Sequence, residues 1–74
     1  MADERILKEW QVTHDDRVHP TRIRILEGSR GIRWLEIREY WVDRGGKLRS
    51  ERIALPLEKI PGLIDVLQEA SEML

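Results

Sequence analysis

Two short glycine-bearing segments, Gly28-Ser29-Arg30-Gly31 and Asp43-Arg44-Gly45-Gly46, separate three runs in which apolar and polar residues alternate. Alternation with period two marks strands with two unlike faces, and connections this short join antiparallel neighbours. The first run, Arg22 to Glu27, sets Ile23 and Ile25 on one face and Arg22, Arg24 and Leu26 on the other. The second, Ile32 to Val42, turns Leu35 and Ile37 inward and leaves Trp34, Glu36, Arg38 and Tyr40 opposite. The third, Lys47 to Leu55, directs Ile53 and Leu55 to the core and Arg52 and Ala54 away from it. A meander results, with the two glycines of the first turn free to take positive φ.

The period then changes. Ile60, Leu63, Ile64, Leu67, Ala70 and Leu74 recur at helical spacing, and Pro61 suits a first helical turn. The spacing predicts an amphipathic helix from Glu58 or Pro61 to Met73. With Val66 and Met73 its apolar residues span roughly half the circumference, where a helix on a single sheet needs a stripe nearer 100° wide. The surplus points to a partner subunit covering Ile60, Leu63, Val66, Leu67, Ala70 and Met73; a helix sunk deeper into its own core is the alternative. At the other end Ile6, Lys8, Trp10 and Val12 fall on alternate positions, so Arg5 to Thr13 reads as an extra strand and His14 to Pro20 as a loop. The expected fold class is α+β: a curved four-stranded antiparallel sheet, backed by one C-terminal helix, in a dimer. One domain is expected in all, with 1–21 an N-terminal strand and loop extension and 22–74 the sheet-plus-helix unit.

Size makes the dimer more than decorative. A chain of 74 residues buries only about 60% of the surface its unfolded form exposes, and such domains usually recruit disulfides, metals or partners. There is no cysteine, which removes disulfides and thiolate metal sites together. Neither an apolar stretch long enough to span a membrane nor a signal-peptide core is found, so an intracellular protein, cytoplasmic or nucleoid-associated, is expected. Catalysis is not expected either: no hydroxyl sits in a nucleophile motif, and a chain this short offers little room for a pocket. His14, Asp15, Asp16 and His19 carry metal-ligand chemistry, but two histidines without a matching second pair read better as a solvated loop. No metal and no cofactor is expected.

The net charge of −1 conceals an asymmetry. Residues 22–52 hold nine basic side chains against five acidic ones, while the flanks are acidic, and ten of the thirteen basic residues are arginine. Arginine presents a planar fork that matches phosphates and stacks on aromatic rings. On the strand pattern Arg22, Arg24, Trp34, Arg38, Tyr40 and Arg52 share the face away from the helix. Cations that track phosphates, interleaved with rings that stack unpaired bases, are what single-stranded nucleic acid requires. The competing reading has Trp34 and Tyr40 covering an apolar patch or a protein interface, with the arginines paired to Glu27, Glu36 and Glu39.

The run Leu35-Glu36-Ile37-Arg38-Glu39-Tyr40-Trp41-Val42-Asp43 resembles the second-strand signature of the positive cofactor four family of transcriptional coactivators, an Ile-Asp-Ile-Arg-Glu-Tyr-Trp type run. Ile53-Ala54-Leu55, Glu58 and the helix continue the likeness, which spans residues 22–73. It implies a homodimer, joined largely through the helix, that binds single-stranded DNA with little sequence preference. A role in transcription regulation, with the transcription machinery as a further partner, or in another DNA transaction would follow. The resemblance also implies that Arg38 and Trp41 contact DNA, with Arg30 in a basic turn and Arg49 and Arg52 in a basic segment. This chain departs from the family in lacking an aromatic residue in the first turn and in having a shorter loop after Trp41. It also has arginines where the family has lysines, with Glu51 among them. The family's serine-rich acidic extension is missing, which fits a minimal prokaryotic or viral version. RNA binding and protein docking through the same face remain alternatives. Trp41 is three residues from Arg38, so it joins that face if strong twist or a bulge near Tyr40 re-aims it; otherwise it belongs to the core.

Overall fold

The computed structural model describes residues 4–13 and 19–74. Four strands, β1 (Arg5–Val12), β2 (Thr21–Glu27), β3 (Arg33–Val42) and β4 (Leu48–Pro56), form one antiparallel sheet in the order β1-β2-β3-β4. A single turn of 3-10 helix, Leu57–Lys59, leads into helix α1 (Ile60–Ser71), with Pro61 in its first turn. The α+β meander expected from the sequence is therefore present, including the N-terminal strand. His14, Asp15 and Asp16 of the candidate metal loop lie outside the described residues.

The register assigns every strand residue to a face. Ile23 pairs with Ile37, which pairs with Ile53; one rung along, Ile25 pairs with Leu35 and Leu35 with Leu55. These six residues make one side of the sheet apolar. Arg22, Arg38 and Arg52 occupy a rung of the opposite side, followed by Arg24, Glu36 and Ala54, then Leu26, Trp34 and Pro56. Strand β1 carries the irregularity that the pattern did not show. Its register shifts between Ile6 and Lys8, so Ile6 pairs with Leu26 whereas Trp10 pairs with Ile23. One added residue reverses the side-chain parity, sending Ile6 to the arginine side and Trp10 and Val12 to the apolar side. The expectation of a single common face for these residues is corrected accordingly.

The two turns differ in how they use glycine. Gly31 (φ 69°) and Arg30 (φ 63°) take left-handed conformations, whereas Gly28 has an ordinary φ of −100°. Gly28 is required for space instead: a Cβ there would stand 2.8 Å from Cη2 of Trp34. In the second turn Gly46 (φ 80°) supplies the left-handed residue. Asp43 Oδ1 accepts the backbone N–H of Gly45 at 2.9 Å and of Lys47 at 3.0 Å.

The helix does not back the sheet. Its neighbours are chiefly the 3-10 turn before it, and only Ile60 and Leu63 are half-buried. Val66 and Leu67 are 61% and 63% exposed, and Met73 more so. The molecule is a slab of 40 × 35 × 16 Å, one layer thick. Among the described residues Leu26 is the one fully buried apolar side chain. Stable domains close a second layer over each apolar face. Here Ile53, Trp10 and most of α1 have no such cover among the described residues.

Candidate nucleic-acid interface

Strand pairing, rather than any local motif, builds the candidate site. Because Arg22, Arg38 and Arg52 are directly opposed on three adjacent strands, their backbones stand about 4.8 Å apart. Like charges so placed repel one another, and such a rung persists only with a counter-charge close by. Glu36 supplies it. Two residues along β3 from Arg38, and on the same face, its side chain is 2% exposed. Arg24 Nε donates to Glu36 Oε1 at 2.8 Å, and Arg24 Nη2 lies 2.6 Å from the same oxygen. Arg52 Nε is 2.9 Å from Oε2, and Arg38 Nη2 is 3.8 Å from it. The Glu36 hydrogen bond outweighs partial desolvation and holds Arg24 above the usual arginine range. Glu9 of β1 approaches Arg24 more loosely, at 4.0 Å.

The face is thus partly self-neutralised, as the competing reading anticipated, though through Glu36 and not through Glu27 or Glu39. Glu27 lies on the other face, clipping Arg5 at 2.7 Å and Arg33 at 2.8 Å, and Glu39 accepts the Thr21 hydroxyl at 2.8 Å. Four guanidiniums, those of Arg22, Arg24, Arg38 and Arg52, remain against the two carboxylates of Glu9 and Glu36. A cationic excess survives. Arg22 stacks its guanidinium 5.5 Å from the centre of the Tyr40 ring. Arg52 keeps 43% of its side chain exposed. Among the described residues Arg38 Nε is buried without an acceptor, as is Trp34 Nε1.

Two hollows flank the rung. His19, Pro20, Arg22, Tyr40 and Leu48 surround the smaller one, next to the stacked pair. At the other end an open cleft of about 580 Å³ runs past Trp34, between the Gly31-Ile32 turn and Pro56 to Glu58.

The sequence-predicted residues divide by face. Arg22, Arg24, Trp34, Arg38, Tyr40 and Arg52 come together. Trp41 and Arg49 do not: β3 and β4 pair without a shift from Trp34 to Val42, and Trp41 is opposite Arg49 on the apolar side. No bulge near Tyr40 re-aims Trp41, which stays 42% exposed beside the hydrophobic rungs. Arg49 is committed to the hairpin, with its Nε 2.8 Å from Asp43 Oδ2. Arg30 stands apart in the first turn, exposed. Sequence reasoning named Glu36 only as one of three carboxylates paired to the arginines and did not single it out as the centre of the cluster. Its in-strand spacing from Arg38 was the available signal. It also missed Gln11 and Glu9, which the β1 bulge sets opposite Arg22 and Arg24.

No protein-family model matches the chain, and neither a curated protein nor a solved structure does. Among the described residues no helix is long and apolar enough to cross a membrane, and no cluster of acidic or histidine side chains is arranged for a metal ion.

Proposed function

We propose that this chain binds single-stranded DNA with little sequence preference, as a homodimer, through the face bearing Arg22, Arg24, Arg38, Arg52, Trp34 and Tyr40. The observation that carries the reading is the Arg22–Arg38–Arg52 rung, on a face where four guanidiniums meet two carboxylates and which the Tyr40 ring borders. Guanidiniums on adjacent strands track phosphates, while an aromatic face beside them stacks an unpaired base. A duplex keeps its base faces covered, so the surface favours single strands. The likeness of Leu35 to Asp43 to the positive cofactor four signature supports the same ligand and a role in transcription or another DNA transaction.

The second copy follows from the missing layer. The apolar rungs Ile23–Ile37–Ile53 and Ile25–Leu35–Leu55, together with the exposed side of α1, need a cover that the described residues do not supply. A protomer of the same kind offers a matching pair of apolar surfaces, with Leu63, Val66, Leu67, Ala70 and Met73 at the contact.

Titration of a labelled 20-nucleotide oligomer tests the ligand. Binding at low salt, falling steeply as salt is added, is expected. No binding at low salt would sink the reading. Unlabelled duplex should compete poorly. An RNA oligomer of equal sequence that competes better than DNA would redirect the assignment to RNA, and failure of every oligomer would favour a protein partner.

A further inference from the structure

We infer that Glu36 is a positioning residue for the arginine face: a resident counter-ion that holds Arg24, Arg38 and Arg52 in their ligand-ready arrangement before any polyanion arrives. The inference rests on the proposed nucleic-acid reading and adds the device that makes such a face rigid. A carboxylate at the centre of a polyanion-binding surface is, on charge alone, a liability. Its geometry argues otherwise. Glu36 is 2% exposed, on the central rung of the face, with one oxygen against Arg24 and the other turned towards Arg38 and Arg52. It therefore ties β2, β3 and β4 together through a single side chain.

Each guanidinium has five N–H donors in a fixed fork. Arg24 points Nε and one terminal nitrogen at Glu36, and Arg52 points its Nε. Arg52 keeps 43% of its side chain exposed and Arg24, with Glu9 4.0 Å from its Nη1, keeps 21%. Long arginine side chains lose rotamer freedom on binding, and a surface that has ordered them in advance binds more tightly. Charge repulsion along the Arg22–Arg38–Arg52 rung would otherwise splay them. Arg22 lies outside the reach of Glu36 and is held by Tyr40 instead, 5.5 Å from the ring centre. Both ends of the rung are thus fixed by different means.

The test has two arms. In the free wild-type protein, nitrogen-15 spectra of the arginine Nε–H groups should show slow solvent exchange for Arg24 and Arg52. Those signals should hardly change when a 20-nucleotide oligothymidine is added. Fast exchange in the free protein, slowed only by the oligomer, would overturn the inference. The exchange rates of the free protein are read before any oligomer is added, so fast exchange at that stage is distinct from a failure of the oligomer to bind. The second arm uses Glu36→Gln, with folding checked by circular dichroism. Removing the negative charge steepens the salt dependence of binding. Affinity extrapolated to 1 M salt, where the counterion-release term vanishes, should nevertheless fall at least tenfold. An affinity at 1 M salt equal to or above wild type would show Glu36 to be only an opposing charge. If the variant does not fold, the exchange measurement on the wild-type chain decides.

Discussion

Arg24 and Glu36 face each other across β2 and β3, and one Glu36 oxygen takes both the Nε and a terminal nitrogen of Arg24 within 2.8 Å. That pair anchors a face whose other cations, Arg38 and Arg52, approach the second oxygen. The relationship is non-local: twelve residues separate the partners, and strand registration alone brings them together.

Replacing Arg38 and Arg52 together by alanine removes two cations while leaving Glu36 paired with Arg24. Single-strand counterion release contributes a slope of about 0.7 per phosphate contact. The log–log salt slope should therefore drop by about 1.4, with roughly 10- to 100-fold weaker binding at low salt. Circular dichroism should stay native. Loss of the fold would mean that these arginines serve architecture.

Tyr40 and Trp41 are neighbours in sequence on opposite faces, so they separate the two proposed surfaces. Tyr40→Ala should weaken oligonucleotide binding by about 1–3 kcal/mol, the worth of one stacked base. Trp41→Ala should leave the intrinsic affinity unchanged and weaken self-association instead. A fluorescence titration paired with sedimentation measures both, and the reverse outcome would exchange the faces.

Leu67 is 63% exposed within the chain, so aspartate there would be harmless to an isolated protomer. In a dimer closed over α1 it places a carboxylate in an apolar contact. Leu67→Asp should yield monomer in sedimentation velocity, with a marked drop in melting temperature because a one-layer chain has little core of its own. A variant that sediments as a dimer would exclude the helix from the interface.

Gly28→Ala introduces a Cβ 2.8 Å from the Trp34 ring with no help from an unusual backbone angle. The ring must shift, at a cost of about 1–3 kcal/mol. Urea unfolding should show the change in midpoint; an unaltered midpoint would mean that Trp34 does not rest on this turn.

Two carboxyls predict the response to acid. Arg33 and then Arg5 hold Glu27 below the usual glutamate range, and Arg49, then the Lys47 amide, hold Asp43 below that of aspartate. Folded values lower than unfolded ones mean stabilisation that is complete above the ordinary carboxylate range. It is lost as pH falls through the depressed folded values. Melting temperature should be level near neutrality and decline below about pH 4. Asp43→Asn keeps an acceptor for the turn amides but not the pairing with Arg49, so it should flatten part of that decline.

Period-two alternation in three runs, broken by glycine-bearing turns, determined the meander and the face shared by Arg22, Arg38 and Arg52. These are properties of a strand's own geometry, in which side chains alternate whatever the neighbours do. The change to helical spacing after Leu57 likewise fixed α1. Tertiary structure decided three other matters. The β1 bulge moved Trp10 and Ile6 to opposite sides, because one inserted residue inverts parity and leaves no composition signal. The unbroken β3–β4 ladder put Trp41 with the hydrophobic rungs. Glu36 became the hub of three arginines because a buried carboxylate acquires its partners from adjacent strands, through contacts that no single segment contains.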